Sequence, residues 1–155
     1  MKRLLCVLLL VCMISSAGAE LTSSMVYTYN SYAITAGAPE LDAGQALSEN
    51  STYMFNLDPL YIVFEMSPLG GIRNGAVYAK DETCAADYLC SCLAMIWYLG
   101  EFDIRASGML INQFSALRAG HESTPYNIGA DAFNIIKSDF AQYAFVYMNN
   151  DGKSN

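Results

Sequence analysis

The stretch DETCAADYLCSCLAMIWYLG, residues 81–100, decides the fold. At 100° per residue, Ala85, Leu89, Cys92, Ile96 and Leu99 fall in one stripe. Thr83, Asp87, Cys90, Ser91, Ala94 and Tyr98 fall on the other side. Asp81 or Thr83 can cap the first turn, the acids Asp81 and Glu82 sit near the positive end, and Gly100 stands where a C′ glycine belongs. The spacing predicts a helix over 83–99 whose stripe packs on a sheet, with Trp97 near the edge of the stripe.

Sheet material lies on both sides of this helix. Upstream, Thr52 to Leu57 reads as a short strand ended by Asp58-Pro59, and the β-branched and aromatic run Leu60 to Met66 as a buried strand. Ser67 to Gly71 breaks that run, and Asn74-Gly75 carries a type I′ turn signal with a strand leaving it over 76–80. A hairpin over residues 60–80 follows. Met25 to Ile34, rich in Tyr, Val and Thr, is expected as a further strand, and 36–50 as a loop with a short helical turn at 43–47.

Downstream, Phe102 to Ile104 and Met109 to Phe114 are strand candidates around Gly108. A second helix is expected over 129–142, where Ala132, Phe133, Ile136, Phe140 and Tyr143 recur at helical spacing. Ala144 to Met148 is expected as the last strand. Helices and strands alternate without βαβ regularity. The expected class is therefore α+β: one small domain, a mainly antiparallel sheet and two packed helices. Small sensor-like and roadblock-like folds share this kind of order, an analogy of architecture only.

The N-terminus reads as an export signal. Met1, Lys2 and Arg3 form a cationic start, Leu4 to Ile14 an uncharged apolar run, and Ala17-Gly18-Ala19 a small-x-small cleavage pattern. Residues 1–19 are therefore expected to be removed, leaving one domain over 20–155 that is secreted or held outside the cytoplasm. The apolar run is shorter than the ~20 residues a spanning helix needs. Lipidation at Cys12 is disfavoured by Val11 before it. Tyr88 to Leu99, interrupted by Ser91, reads as a buried helix and not as a membrane span.

Cleavage removes Lys2 and Arg3 but no acid. Six basic residues then face fifteen acids, a net charge of −9. With no basic cluster, such a chain neutralises phosphates poorly, which disfavours nucleic acids and anionic lipid as partners.

Cleavage also leaves three cysteines, Cys84, Cys90 and Cys92, an odd number for an exported protein. Residues six apart on a helix have Cα atoms about 10 Å apart, whereas a disulfide needs less than ~7 Å. Cys90 and Cys92 point to opposite faces. The thiols are thus expected to be unbridged within the chain, as small core hydrophobes or, for Cys90, as a bridge to a second molecule. Their C-x5-C-x-C spacing is not a zinc pattern, and no metal or other cofactor is expected.

One catalytic arrangement can be assembled. Cys84 would lie in the first helical turn, where orphan N–H groups favour a thiolate. His121 could serve as base, with Asp131 or Asp139 orienting it. The segment Cys84-Ala85-Ala86-Asp87-Tyr88, with Leu99-Gly100 and Ile104-Arg105, resembles the core of transglutaminase-like cysteine proteins over about 25 residues. The resemblance implies a cysteine hydrolase using Cys84 and His121. The chain departs from that family after His121, where Glu122-Ser123-Thr124-Pro125 stands in place of an aromatic residue. Phosphate loops and nucleophile elbows are absent from the sequence.

Binding is the stronger expectation. Tyr27 with Tyr29, and Tyr143 with Tyr147 if the last strand starts early, would share strand faces and make aromatic platforms for an envelope glycan or a protein partner, unless they are buried with bonded hydroxyls. Asn50-Ser51-Thr52 fits a glycosylation acceptor in a loop. The reading is a non-catalytic exported domain that binds a partner or ligand at the cell envelope. A subunit of a surface assembly is an alternative.

Overall fold

In the computed structural model, residues 22–67, 71–100, 103–129 and 131–149 are described. The expected signal peptide, Phe102 and the tail beyond Asn149 lie outside them. The chain is α+β: the described residues form three helices on one face of a seven-stranded antiparallel sheet, in the order β1-β2-β3-β4-β7-β6-β5.

The central helix forms where its pattern places it. Asp81 accepts a bond from the Thr83 N–H and caps a 3-10 turn, Glu82–Cys84, which runs into α2, Ala85–Gly100. Cys92, Ile96 and Leu99 of the expected stripe are buried, but so are Tyr88, Ser91, Ala94 and Met95. The apolar arc is wider than a single stripe because α2 is the middle helix of its layer. One flank meets α1, residues 22–36, through the contact of Tyr98 with Tyr29. The other meets α3, Ile104–Arg118, where Tyr88 packs on Phe114 and the Trp97 indole N–H donates to Ser107 Oγ at 2.9 Å. By length and composition Glu82–Gly100 could cross a membrane. Here Tyr88, Cys92, Ala94, Met95, Ile96 and Leu99 are buried between sheet and helices.

The hairpin over 60–80 is present as β3, Leu60–Met66, and β4, Ile72–Ala79. Its turn is not at Asn74-Gly75. Both residues lie inside β4, with Asn74 opposite Glu65 and Gly75 opposite Phe64. The glycine answers to packing: a Cβ at Gly75 would come within 2.5 Å of Met95 Sδ and 2.8 Å of Leu99 Cδ1. The two-residue turn with both φ angles positive occurs instead at Asn50 (φ 48°) and Ser51 (φ 67°). It joins β1, Leu47–Glu49, to β2, Thr52–Leu57.

Four expected elements are corrected: the strands over 25–34, 102–104 and 109–114 and the helix over 129–142. Residues 25–34 are helical, not extended. Met25, Val26, Tyr29 and Ala33 are buried at helical spacing. Thr28, Ser31 and Thr35 turn their hydroxyls back onto carbonyls at 24, 28 and 31, so the composition that suggested a strand is accommodated within a helix. Residues 104–114 are also helical. Asp103 caps α3, and Ala106, Leu110, Gln113, Phe114 and Leu117 line its buried side. Gly108 does not break α3, and a Cβ there would meet open space.

The helix expected over 129–142 is a hairpin of β6, Asp131–Ser138, and β7, Ala141–Asn149. Ile136 and Phe140, which a helical stripe would bury, are exposed, whereas Phe133, Ile135, Tyr143 and Phe145 are buried at strand alternation. β5, Tyr126–Ile128, closes that edge of the sheet.

Candidate functional site

Because all three helices lie on one face, alternation along every central strand divides its side chains between core and exterior. Gly75, Val77 and Ala79 of β4 face the helices, together with Phe64, Ile62 and Leu60 of β3. Tyr147, Phe145 and Tyr143 of β7 complete this inner face. The intervening residues face outward, and the register arranges them in three rows.

The middle row runs Leu47, Met54, Val63, Ala76, Val146, Asn134 across six strands. On one side lies Asn56, Tyr61, Tyr78, Ala144, Ile136, and on the other Glu49, Thr52, Glu65, Asn74, Met148, Ala132. Leu47 is 60% exposed, Met148 47%, Ile136 45% and Phe140 78%. Phe140, at the β6–β7 turn, sets its ring 6.2 Å from that of Tyr78. Natural sheets with one solvated face alternate apolar and polar residues; here the middle row is apolar over five strands.

The border of this face is polar. Lys80 pairs with Asp58 at 2.6 Å and holds its ammonium 5.0 Å from the centre of the Tyr61 ring. The hydrogen bond to Asp58, then Tyr61, raises the Lys80 pKa and keeps the amine charged. Glu65 accepts from the Asn74 amide.

The tyrosines expected to form platforms do not do so. On α1, Tyr27 and Tyr29 diverge, Tyr27 into solvent and Tyr29 into the core. Tyr143 and Tyr147 do share a strand face, but it is the inner one, and both are buried. The Tyr143 hydroxyl donates to Glu82, which also pairs with Arg118 at 2.8 Å, tying β7 to the start of the α2 segment and the end of α3. The Tyr147 hydroxyl donates to Asp131 Oδ2 at 2.7 Å. The outward tyrosines are Tyr61 and Tyr78, cross-strand neighbours that sequence reasoning missed. The alternation of Leu60, Ile62, Phe64 and Met66 with Tyr61, Val63 and Glu65 carried the signal. Moving the hairpin turn from 74–75 to 67–71 would have revealed the pairing.

Cys84 is poorly set for the cysteine arrangement. Cys84 is buried, and its Sγ lies 3.5 Å from the Asp81 carbonyl and 4.0 Å from that of Pro59, a setting for a protonated thiol. Burial, with the nearby Asp81 and Asp87 charges, pushes its pKa up and outweighs the backbone groups that pull it down. Asp131 pairs with Asn149, whereas Ala79, just before the Cys84 turn, pairs with Tyr143. Six residues of β7 separate those levels, about 20 Å along the sheet.

His121 lines a shallow hollow of about 390 Å³ with Leu117, Ser123, Ile135 and Lys137. Cys84 is not among its walls. Cys84, Cys90 and Cys92 are all unbridged, and burial raises the pKa of each. Among the described residues no group of three or more His, Cys, Asp or Glu side chains is placed to hold a metal.

A smaller cleft of about 190 Å³ opens at the far end, between Ser24, Met25 and Thr28 of α1, Met66 and Arg73 of the hairpin, and Tyr98 and Tyr147. Compared with known proteins, the chain matches no family model, no curated protein and no solved structure.

Proposed function

We propose that this chain is an exported, non-catalytic domain that binds a partner at the cell envelope through the outward face of its sheet. The single observation that carries this reading is the apolar row from Leu47 to Val146, flanked by Tyr61, Tyr78, Ile136 and Phe140 and left uncovered by the helices. Monomeric proteins rarely keep such a contiguous patch without use for it. The rings supply contact area with few rotamers to immobilise, and the Lys80–Asp58 pair supplies a polar rim.

Export places the face outside the cytoplasm, in keeping with the signal read over residues 1–19. A charge of −9 on the exported chain argues against nucleic acid as the partner. The buried thiol of Cys84 and the remoteness of Asp131 weigh against hydrolysis. Asn50 lies at an exposed hairpin tip, accessible to a glycosylating enzyme in a host that has one.

The test is retention of the purified exported chain on envelope fractions of the producing cell. Wild type is expected to be retained, and Tyr78→Ala and Val146→Lys, at unchanged fold, to lose at least about tenfold in affinity. Equal retention of wild type and both variants would contradict the reading.

A further inference from the structure

We propose that the outward face of the sheet is closed by a second copy of this chain, giving a symmetric dimer. The proposal rests on the reading that this face binds, and names its partner.

Three features select a second copy. The first is shape. The middle row is aliphatic and short, with Ala76 between Val63 and Val146, and buried Ala132 and Ala144 on either side of it. Such a surface is flat and shallowly grooved, suited to another sheet packed about 10 Å away. A glycan would need a denser set of hydrogen-bonding groups than this row offers.

The second is charge. Among the described residues the three rows carry two carboxylates, both in one outer row: Glu49 at the β1 edge and Glu65, already bonded to Asn74. In a strongly acidic chain this face carries only two acids in its rows, and none in the middle one. Its uncharged middle row can meet its own copy without pairing like charges at the centre.

The third is size. Six strands at about 4.8 Å and three rows at about 6.8 Å make a patch of about 29 by 20 Å. Two such patches bury about 1,000 Å², the lower bound for a specific pair, before Phe140 and the rim are added. An isologous two-fold contact needs only this one self-complementary patch.

Light scattering on the purified exported chain at about 100 µM tests the proposal. Wild type is expected at twice the chain mass, and Val146→Lys and Met148→Lys at the single mass. Met148 is already 47% exposed, so its variant keeps the fold if Val146→Lys does not. A monomeric wild type overturns the pairing, as does a dimer that survives both substitutions. A monomer still retained by envelope fractions would leave the binding reading standing and remove only the second copy. A monomer that sediments with zwitterionic lipid vesicles, and loses this with Met148→Lys, would assign the face to lipid and overturn the dimer.

Discussion

Gly75 in β4 lies directly beneath Met95 in α2, and a methyl group at position 75 would stand 2.5 Å from the Met95 sulfur. This contact sets how closely the central helix approaches the sheet. Gly75→Ala is expected to destabilise the domain by about 1–3 kcal/mol, because Met95 and Leu99 must leave their rotamers. Gly75→Val should cost more. Urea midpoints measure both. The control is Gly108→Ala in α3, which meets open space and should gain about 0.5–1 kcal/mol from helix propensity alone.

The β1–β2 turn holds Ser51 at φ 67°. That conformation costs a residue with a side chain about 1–2 kcal/mol. Ser51→Gly should therefore raise the thermal midpoint slightly, even after the larger entropy of glycine in the unfolded chain is counted. A lowered midpoint would show that the turn is held in another way. The change leaves Asn50 and Thr52 of the acceptor triplet intact.

Stability should fall as pH rises above about 8.5. Burial raises the thiol pKa of Cys92 well above its ordinary value, and those of Tyr29 and Tyr88 likewise, while Tyr98 is pushed up to about 12. These groups stay protonated in the fold but ionise in the unfolded chain. The unfolded state therefore binds fewer protons, and stability declines with pH, first through the thiols and then, near pH 10, through the tyrosines. Each fully buried group can contribute up to about 1.4 kcal/mol per pH unit. Urea titrations at pH 7, 9 and 10.5 measure the slope; a flat profile would contradict this burial. In the same experiments Cys92 should resist alkylation until the domain unfolds.

Trp97 is the only tryptophan in the chain, and its bond to Ser107 joins α2 to α3. Ser107→Ala should cost about 1 kcal/mol and shift the fluorescence emission of the folded protein. An unchanged spectrum would mean that the two helices are held by apolar contacts alone.

What the sequence showed and what it hid have distinct physical causes. β2 and β3 appear with the expected bounds, because Asp58-Pro59 and Ser67 to Gly71 punctuate them and their side chains alternate. The central helix was legible from its cap and its apolar period, whereas Gly100 is its last helical residue and not a C′ glycine; a Cβ there would meet the Tyr147 hydroxyl. α1 was hidden because Tyr, Val and Thr favour strands locally, while the burial of Met25, Val26, Tyr29 and Ala33 against Phe64 and Tyr98 is a tertiary effect. The β6–β7 hairpin was hidden because Phe133, Ile136 and Phe140 fit a helical period by coincidence; only pairing with β4 shows that two of them face outward.

The candidate site suffered most from one turn. With the turn assigned to Asn74-Gly75, Tyr61 and Tyr78 could not be neighbours. With Gly75 needed for helix packing, they are.

The most direct test of the binding face is site-resolved crosslinking in the producing cell. A photoreactive residue replaces Met148 on the outward face in one strain and Ile111 on α3 in another, since both positions are exposed. Specific adducts from position 148, well above those from 111, are predicted. Absence of adducts from 148, or equal yields at both positions, would contradict a binding role for the sheet.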